Sequence, residues 1–467
     1  MPVFVARSPI DVSAEELFDW HARPGAFERL APPWREPRVV AREGSIRDGD
    51  RLVLELRLGP LRRRWVAVHR DFEPGRGFVD EQQSGPFASW VHAHRFTPAG
   101  PERAILEDRI EYELPFGRLG AWLAGDPERV LGRMFRFRHE RTRNDLARHR
   151  RFAGRERLRV AITGASGLVG RALTAFLLSG GHRVDRVLRR APEAGTTDLR
   201  WDPASADLDA AQLEGVDAVV HLAGESIAAG RWTRARRERI LLSRREGTRL
   251  LCERLAGLSR KPRVLVAASA IGFYGDRGAE ALDEKSASGD GFLAEVCRDW
   301  EDATEPAAAA GIRVVRLRLG IVVAGAGGAL APMLPLARLG VGSIGSGQHW
   351  MSWISIDDVI GAIQQLLYAD DVSGPVNAVA PAPLQSRDFS TVLGRVLGRR
   401  SFLSVPAFAL RAGLGQLADE ALLASARVDC ARLRECGFEF LHPDLETALR
   451  SELGAARARD PEPAAAA

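Results

Sequence analysis

The chain has 467 residues, of which 45% are hydrophobic and 27% are charged. This length exceeds one ordinary hydrophobic core, so we expect two or three globular domains. No apolar run approaches the roughly 20 residues that span a bilayer. The N-terminus, with Arg7 almost at once, lacks the layout of a signal peptide. We therefore expect no membrane span and a cytoplasmic location.

The net charge of +5 comes almost wholly from arginine, because the sequence holds only two lysines. No recognised nucleic-acid motif surrounds the arginine runs at 62–64 and 234–237, so we expect solvated surfaces and no nucleic-acid partner. The four cysteines are scattered without CxxC spacing. This spacing suggests neither a disulfide framework nor a zinc site.

Residues 1–150 indicate a mixed α+β domain. Ser13 and Glu16 fit a capping box at the start of a helix. Stretches that alternate with a period of two predict half-buried antiparallel strands. These stretches are residues 51–56, 64–68 and 90–96. Residues 129–149 then predict one long, very basic helix.

Two histidines, His92 and His94, lie two positions apart on one predicted strand and therefore share a face. A metal site needs three or four ligands, and no nearby Cys, His or acidic pair in the sequence completes one. We therefore expect a hydrogen-bonded histidine pair on a cavity wall or outer face, and no metal site.

A charged linker at 151–157 leads into a region, residues 157–375, where apolar strands alternate with helices. This alternation predicts an α/β fold with a doubly wound parallel sheet. The predicted strands are residues 158–163, 184–188, 218–222, 263–268 and 312–317. Residues 376–455 predict a small α/β C-terminal domain with two or three short helices. The Pro/Ala/Glu-rich tail, residues 456–467, is expected to be disordered.

A glycine-rich loop directly follows the first strand of this region and precedes a helix at 171–178. Glycines let the backbone turn sharply and approach a pyrophosphate, which then rests on free amides at the helix start. In this context the GxxGxxG pattern predicts a dinucleotide-binding Rossmann domain. The predicted contacts here are Thr163, Gly164, Ser166, Gly167, Leu168, Val169 and Gly170.

The ends of the next two strands predict which nucleotide is bound. The second strand ends in Arg189 and Arg190 with no carboxylate, and arginine suits the 2′-phosphate of NADP(H). The third strand contains His221, which we interpret as a packed core histidine. It ends in small residues where the nucleotide crosses the sheet. The remaining predicted cofactor contacts are Leu222, Ala223, Gly224, Glu225 and Ala268.

These segments together resemble the extended short-chain dehydrogenase/reductase superfamily of epimerases and dehydratases. Residues 267–275 and 352–358 extend the resemblance, since they look like its Ser-rich strand end before Tyr-Gly and its Trp-Ile-His-Ile-Asp-Asp segment. Residues 224–228, 231–232 and 243–248 look like the atypical epimerase subfamily. That subfamily ends in a small domain of the DUF1731 type, and some of its relatives are tied to cell division.

The N-terminal region resembles the START-like (SRPBCC, polyketide cyclase) family. Residues 30–34 and 78–94 carry the resemblance, the latter with the sequence FVDEQQSGPFASWVHAH. The resemblance implies a helix-grip fold, in which a curved antiparallel sheet wraps round a long helix. It also implies a cavity for an apolar ligand.

The catalytic pair that is typical of the superfamily is missing. Typical members use Tyr-x-x-x-Lys on a helix, and none of the three tyrosines here is followed by such a lysine. On the corresponding helix, 291–301, Phe292 or Leu293 stands in place of the tyrosine. Val296 or Cys297 stands in place of the lysine. The usual proton relay therefore cannot be carried over.

The candidate catalytic residues that remain are Ser269 and Tyr274. Ser269 is placed to bind a substrate carbonyl and Tyr274 to supply a proton. Without a lysine the Tyr274 pKa should stay near its ordinary value of ~10, and a structural role for it stays open. We expect an NADP(H)-dependent oxidoreductase or epimerase-like enzyme on an apolar or sugar-like small molecule. The alternative is a non-catalytic regulatory protein that binds NADP(H) and a lipid, and oligomerisation stays open.

Overall fold

The computed structural model describes residues 1–58, 61–115, 126–192, 195–203 and 208–455. They form two compact units, the first mainly residues 1–155 and the second mainly residues 156–450. Among the described residues, no helix is both long and apolar enough to cross a bilayer. The predicted disordered tail, residues 456–467, lies outside the described residues.

The first unit is built on a seven-stranded antiparallel sheet with the order β1-β7-β6-β5-β4-β3-β2. Its strands are β1 (Val3–Ile10), β2 (Arg38–Glu43), β3 (Arg51–Leu58), β4 (Leu61–Glu73), β5 (Gly77–Ser84), β6 (Ser89–Gly100) and β7 (Arg103–Glu113). Its helices within the described ranges are α1 (Ala14–Ala22), α2 (Ala26–Leu30) and α3 (Pro127–Arg150). The chain thus forms a meander from β2 to β7, and β1 closes the other edge.

Packing of the sheet on the long helix α3 forms the core of this unit. Every second residue of β6 from Trp90 to Phe96 is buried, as a strand with one covered face requires. Phe135 of α3 lies in the same buried cluster as Trp90. The predicted helix cap is also present, since Ser13 Oγ accepts from the Glu16 amide at 3.1 Å. The helix-grip fold that the resemblance implies is confirmed.

The second unit is built on a parallel sheet flanked by helices. Its strands are β8 (Arg159–Thr163), β9 (Arg183–Leu188), β10 (Leu199–Arg200), β11 (Ala218–His221), β12 (Val264–Ala270), β13 (Ala281–Leu282), β14 (Arg313–Leu319), β15 (Ile321–Ala324), β16 (Gly327–Gly328), β17 (Val341–Ile344), β18 (Trp350–Met351), β19 (Trp353–Ser355), β20 (Gly374–Ala378), β21 (Leu384–Gln385), β22 (Leu403–Val405) and β23 (Arg427–Val428). Its main helices are α4 (Leu168–Ser179), α5 (Arg234–Ala256), α6 (Phe292–Asp302), α7 (Glu305–Ala309), α8 (Leu330–Arg338), α9 (Ile356–Tyr368), α10 (Ser386–Val396), α11 (Ala407–Leu414), α12 (Ala431–Glu435) and α13 (Leu445–Leu453).

The main sheet has the order β10-β9-β8-β11-β12-β14-β20, and its pairs are parallel. All four residues of β11 and six of the seven residues of β12 are buried. Continuous burial is expected when helices cover both faces of a sheet. From β8 the chain passes to β9 on one side and later to β11 on the other, which makes a topological switch point. The predicted Rossmann fold is confirmed.

The boundary that we predicted near residue 375 cuts through a strand of the main sheet. We assigned residues 375–379 to the start of the last region. In the structure β20 (Gly374–Ala378) pairs with β14 and is the seventh strand of the main parallel sheet. The later strands β21, β22 and β23 pair with β18, β17 and β13. The C-terminal region is therefore part of the same compact unit. Strand pairing over such sequence distances leaves no local signal in the pattern.

Candidate functional site

The loop after β8 contains a glycine that no other residue replaces without strain. Gly164 has a φ of +68°, and a Cβ there would lie 2.7 Å from the Leu222 carbonyl carbon and 2.8 Å from the Ala223 nitrogen. These are backbone atoms, which cannot move aside as the end of a flexible side chain can. The loops after β8 and β11 therefore touch at the switch point because residue 164 lacks a side chain.

The other two glycines of the loop have different surroundings. A Cβ on Gly170, in the first turn of α4, would lie 2.3 Å from Gly164 O, so helix and loop pack as closely as backbone allows. A Cβ on Gly167 would meet only Gly164 O, at 3.2 Å, and Gly167 is exposed. In a dinucleotide-binding loop the three glycines allow a tight turn, close approach of the pyrophosphate and close packing of the helix. Gly164, Gly167 and Gly170 match these three roles in that order.

Buried hydrogen bonds hold the ends of β8 and β11 together. Thr163 Oγ1 accepts from the Leu222 amide at 3.2 Å and lies 2.6 Å from His221 Nδ1. The other ring nitrogen, Nε2, lies 2.9 Å from Thr248 Oγ1 of α5. Burial lowers the His221 pKa to about 4, so the ring is neutral at neutral pH. The interpretation of His221 as a packed core histidine is confirmed.

Helix α5 also fixes the loop that follows β11. Ser243 Oγ accepts from the Glu225 amide at 3.0 Å, and the Arg244 guanidinium donates to the Glu225 carbonyl at 2.9 Å. A Cβ on Gly224 would lie 3.2 Å from Arg244 Cζ. We had not predicted a site role for Ser243 or Arg244. The signal was present, since both lie in the segment 243–248 that carries the resemblance to the atypical subfamily.

The end of β9 exposes two arginines, Arg189 and Arg190. Two buried carboxylates lie further back along the strand. Asp185, the third residue of β9, lies 2.6 Å from Nε of Arg159, the first residue of β8, and Asp198 accepts two bonds from Arg186 at 2.7 and 2.5 Å. Neither carboxylate therefore lies at the carboxyl end of β9, where the nucleotide ribose is expected.

The candidate catalytic residues Ser269 and Tyr274 lie in one buried network. Ser269 Oγ donates to Glu301 Oε1 at 2.7 Å, and Glu301 binds the Arg318 guanidinium through both oxygens at 2.8 Å. Arg318 also donates to Tyr274 Oη at 2.9 Å, and that hydroxyl donates to Asn377 Oδ1 at 2.7 Å. Ser269, Arg318 and Asn377 are register neighbours on β12, β14 and β20.

This network engages both candidate hydroxyls in structural bonds. Tyr274 is fully buried and Ser269 is 2% exposed. Burial raises the Tyr274 pKa, although Arg318 acts in the opposite direction. A tyrosine with a raised pKa is a weaker acid. A direct catalytic role for either residue stays a prediction, and the geometry favours the structural alternative for Tyr274.

The helix where the missing pair was expected, α6, packs on the segment after β12. A Cβ on Gly272 would lie 3.3 Å from Leu293 Cβ and 3.7 Å from Cys297 Sγ. Burial raises the pKa of the Cys297 thiol to about 11. Neither side chain transfers protons at neutral pH, so α6 offers no substitute for the Tyr-x-x-x-Lys pair at these two positions.

Family models match three successive parts of the chain. Residues 160–378 match the NAD dependent epimerase/dehydratase family. Residues 10–136 match the polyketide cyclase / dehydrase and lipid transport family, and residues 405–452 match a domain of unknown function, DUF1731. These three matches correspond to the three resemblances found in the sequence.

Individual proteins are similar over long stretches. An epimerase family protein of Mycobacterium tuberculosis is 43% identical over 62% of this chain and 96% of its own length. The crystal structure of a nucleoside-diphosphate sugar epimerase from Corynebacterium glutamicum has a TM-score of 0.80 and 34% identity, and covers 97% of this chain and 90% of that one. Human epimerase family protein SDR39U1, solved with NADPH, has a TM-score of 0.59 and 33% identity over 63% of this chain and 99% of that one.

Breaking the buried Glu301–Arg318 pair should cost far more stability than breaking an exposed pair. We expect Glu301→Ala to lower the free energy of unfolding of the α/β unit by about 3–5 kcal/mol, because it leaves a buried guanidinium without a counter-charge. The matched control is Glu253→Ala, which breaks the exposed pair with Arg249 and should cost about 0.2–1 kcal/mol. Urea unfolding measures both, and equal losses would contradict the assignment.

Proposed function

The chain belongs to the NAD dependent epimerase/dehydratase family, and we propose that its α/β unit binds NADP(H) at the switch point between β8 and β11. The observation that carries the proposal is the glycine loop. Gly164 and Gly170 are closed in by backbone, whereas Gly167 faces open space directly before the start of α4. Such a loop presents free amides to a pyrophosphate at the positive end of a helix.

We propose contacts along the whole length of the dinucleotide. The proposed contacts are Thr163, Gly164, Ser166, Gly167, Leu168, Val169 and Gly170 for the pyrophosphate side, Arg189 and Arg190 for the adenosine side, and Leu222, Ala223, Gly224, Glu225 and Ala268 for the path toward the nicotinamide. When bound, NADP(H) would supply a hydride acceptor or donor. The chain's own part is to bind and orient it, through the loops that Thr163 and α5 hold in place.

The arginines at the end of β9 support NADP(H) over NAD(H). Exposed Arg189 and Arg190 offer guanidiniums for a 2′-phosphate, and residues 188–190 include no carboxylate to bind ribose hydroxyls. The human relative SDR39U1 was solved with NADPH. Both points favour the phosphorylated cofactor.

Two functions are compatible with this site. The first is an NADP(H)-dependent oxidoreductase or epimerase-like enzyme on an apolar or sugar-like molecule, which the names of the relatives support. The second is a non-catalytic protein that responds to NADP(H) and to a ligand of the N-terminal unit. The burial and double hydrogen bonding of Tyr274 favour the second.

Gly167→Val should weaken NADPH binding without unfolding the protein. The added side chain points into the space proposed for the pyrophosphate, whereas only one protein atom lies within 4 Å of its Cβ. We expect at least a roughly tenfold loss of affinity, which is about 1.4 kcal/mol, by isothermal titration calorimetry. Gly413→Val, at another glycine without close neighbours, is the control. Unchanged NADPH affinity in Gly167→Val would refute the proposed site.

The double variant Arg189→Ala/Arg190→Ala should change the choice of nucleotide. Losing charge-assisted bonds of about 1.5–3 kcal/mol each should lower NADPH affinity by at least roughly tenfold and leave NADH affinity unchanged. Arg157→Ala, which removes an exposed arginine of the linker, controls for the loss of a surface charge away from the site. Equal losses for NADPH and NADH would mean that these arginines do not read the 2′-phosphate.

A substrate screen separates the two candidate functions, and Tyr274→Phe tests whether Tyr274 is catalytic. Sugars, ketones and quinones are screened for NADPH oxidation by the absorbance of the reduced nicotinamide. From the burial of Tyr274 we expect unchanged NADPH affinity and, for any substrate found, less than a tenfold change in kcat, with Tyr368→Phe as control. A loss of roughly 10²–10⁴ in kcat, the usual contribution of a general acid, at unchanged stability would instead establish Tyr274 as catalytic.

A further inference from the structure

The sheet of the N-terminal unit brings two carboxylates to the histidine pair of β6. In the strand register, Asp80 of β5 lies opposite His92, and Asp108 of β7 lies opposite His94. His139 of α3 reaches the same group from the helix side, with its Nε2 2.6 Å from Asp108 Oδ2. The four strand residues share the inner face of the sheet, since cross-strand neighbours point to the same side.

Asp80 lies between the two imidazole rings. Its Oδ2 is 3.1 Å from His92 Nδ1 and 3.2 Å from His94 Nε2. Asp80, His92 and His94 each offer a ligand atom within 4.8 Å of the others. At metal–ligand bonds of about 2.0–2.2 Å, neighbouring donors round one ion lie roughly 3–3.5 Å apart. The two separations from Asp80 therefore match neighbouring donors of a single ion, and one nitrogen of each ring lies within 4.8 Å of the other.

Asp108 lies on the side of the two rings away from Asp80 and is hydrogen-bonded to His92 and His139. Its Oδ1 accepts from His92 Nε2 at 2.7 Å, and its Oδ2 accepts from His139. A carboxylate that accepts from the far ring nitrogen of a ligating histidine is a common feature of metal sites, because it fixes the tautomer and the ring orientation. Asp108 is 3% exposed, whereas one fifth of the Asp80 side chain is exposed, so the Asp80 side is the accessible one.

Hydrogen bonds do not account for all the polar atoms of the cluster. His94 Nδ1 lies 2.8 Å from Asp108 Oδ1, but off the line of a hydrogen bond, and it has no other partner. His94 is 9% exposed, so water does not readily reach the ring. This nitrogen faces Asp108, so Nε2 is the His94 ring nitrogen on the side of Asp80.

We propose that Asp80, His92 and His94 bind one divalent transition metal ion, with Asp108 and His139 positioning the two histidines. Two imidazole nitrogens and one carboxylate oxygen form a set that suits zinc, iron(II) and related ions. Asp80 and Asp108 stabilise positive charge in this group, since together they raise the pKa of His94 to about 9 against the effect of burial. The bound ion would take the place of the proton on His94.

Three protein ligands leave coordination positions open for water or another donor. The surroundings are apolar: the His94 ring stacks on Phe78 with centroids 4.3 Å apart, and the His92 ring lies edge-on to Phe135 at 5.3 Å. The class of ligand that fits is a molecule with an apolar body and one oxygen donor, such as a carbonyl or carboxylate, for the ion. This inference is independent of NADP(H) binding.

The test is titration of the metal-free full-length protein with Co²⁺, followed by the visible absorbance of the bound ion, with Zn²⁺ as competitor. We expect one equivalent of Co²⁺ that Zn²⁺ displaces, and a melting temperature of the N-terminal unit that rises with Zn²⁺. Asp108→Asn should lower the Zn²⁺ affinity by about 10–100-fold. His92→Ala and Asp80→Asn should lower it further.

His349→Ala is the control for adventitious histidine binding, because His349 belongs to the α/β unit. Asp80→Asn keeps the size of a half-buried side chain, and near-ultraviolet circular dichroism establishes that its N-terminal unit is folded. A metal-free melting curve equal to that of the wild type, together with lost Co²⁺ binding, supports the site. Absence of stoichiometric Co²⁺ and Zn²⁺ binding in the wild type would overturn it. Binding that survives both Asp80→Asn and His92→Ala would overturn it equally.

Discussion

The backbone contact between Gly164 and the end of β11 is the constraint on which the proposed cofactor site depends. Any Cβ at residue 164 would lie 2.7 Å from the Leu222 carbonyl carbon, so the two loops at the switch point approach only because the residue is glycine. Their closeness lets Thr163 accept the Leu222 amide and bind His221. Through Thr248, Ser243 and Arg244, the same contact brings α5 against the loop after β11. The contact of residue 164 with residues 222 and 223 therefore requires glycine at position 164 and brings together the two loops proposed to bind the dinucleotide.

The fold keeps the family's cofactor scaffold while its two best proton-transfer candidates serve the structure. Ser269 and Tyr274 lie at the carboxyl side of β12, where chemistry is expected in such sheets. Yet both hydroxyls are engaged by the Glu301–Arg318 pair. A buried ion pair is costly to form and more costly to break. In this network Ser269 and Tyr274 help to hold β12, β14 and β20 together, and a catalytic role for either residue stays a prediction.

Local patterns predicted the elements well and predicted long-range partners poorly. The glycine loop, the parallel strands and the long helix α3 all depend on periodicity and turn chemistry, and they lie within a few residues of their predicted places. The partners of His92 and His94 were missed, because Asp108 and Asp80 are 16 and 14 residues away and only strand register brings them close. Glu301 and Arg318 were missed for the same reason. Strand β20 was placed in the wrong region since its pattern says nothing about its neighbour.

Hydrogen–deuterium exchange of the full-length protein with and without saturating NADPH tests the central claim most directly. The amides of residues 164–170 follow β8 and form the turn into α4, and those of residues 222–225 follow β11. If a dinucleotide lies on these loops, both segments should exchange more slowly in its presence, and the sheet of the N-terminal unit should not change. Exchange rates that stay the same in both segments, while NADPH binding is measurable, would place the cofactor elsewhere and contradict the account.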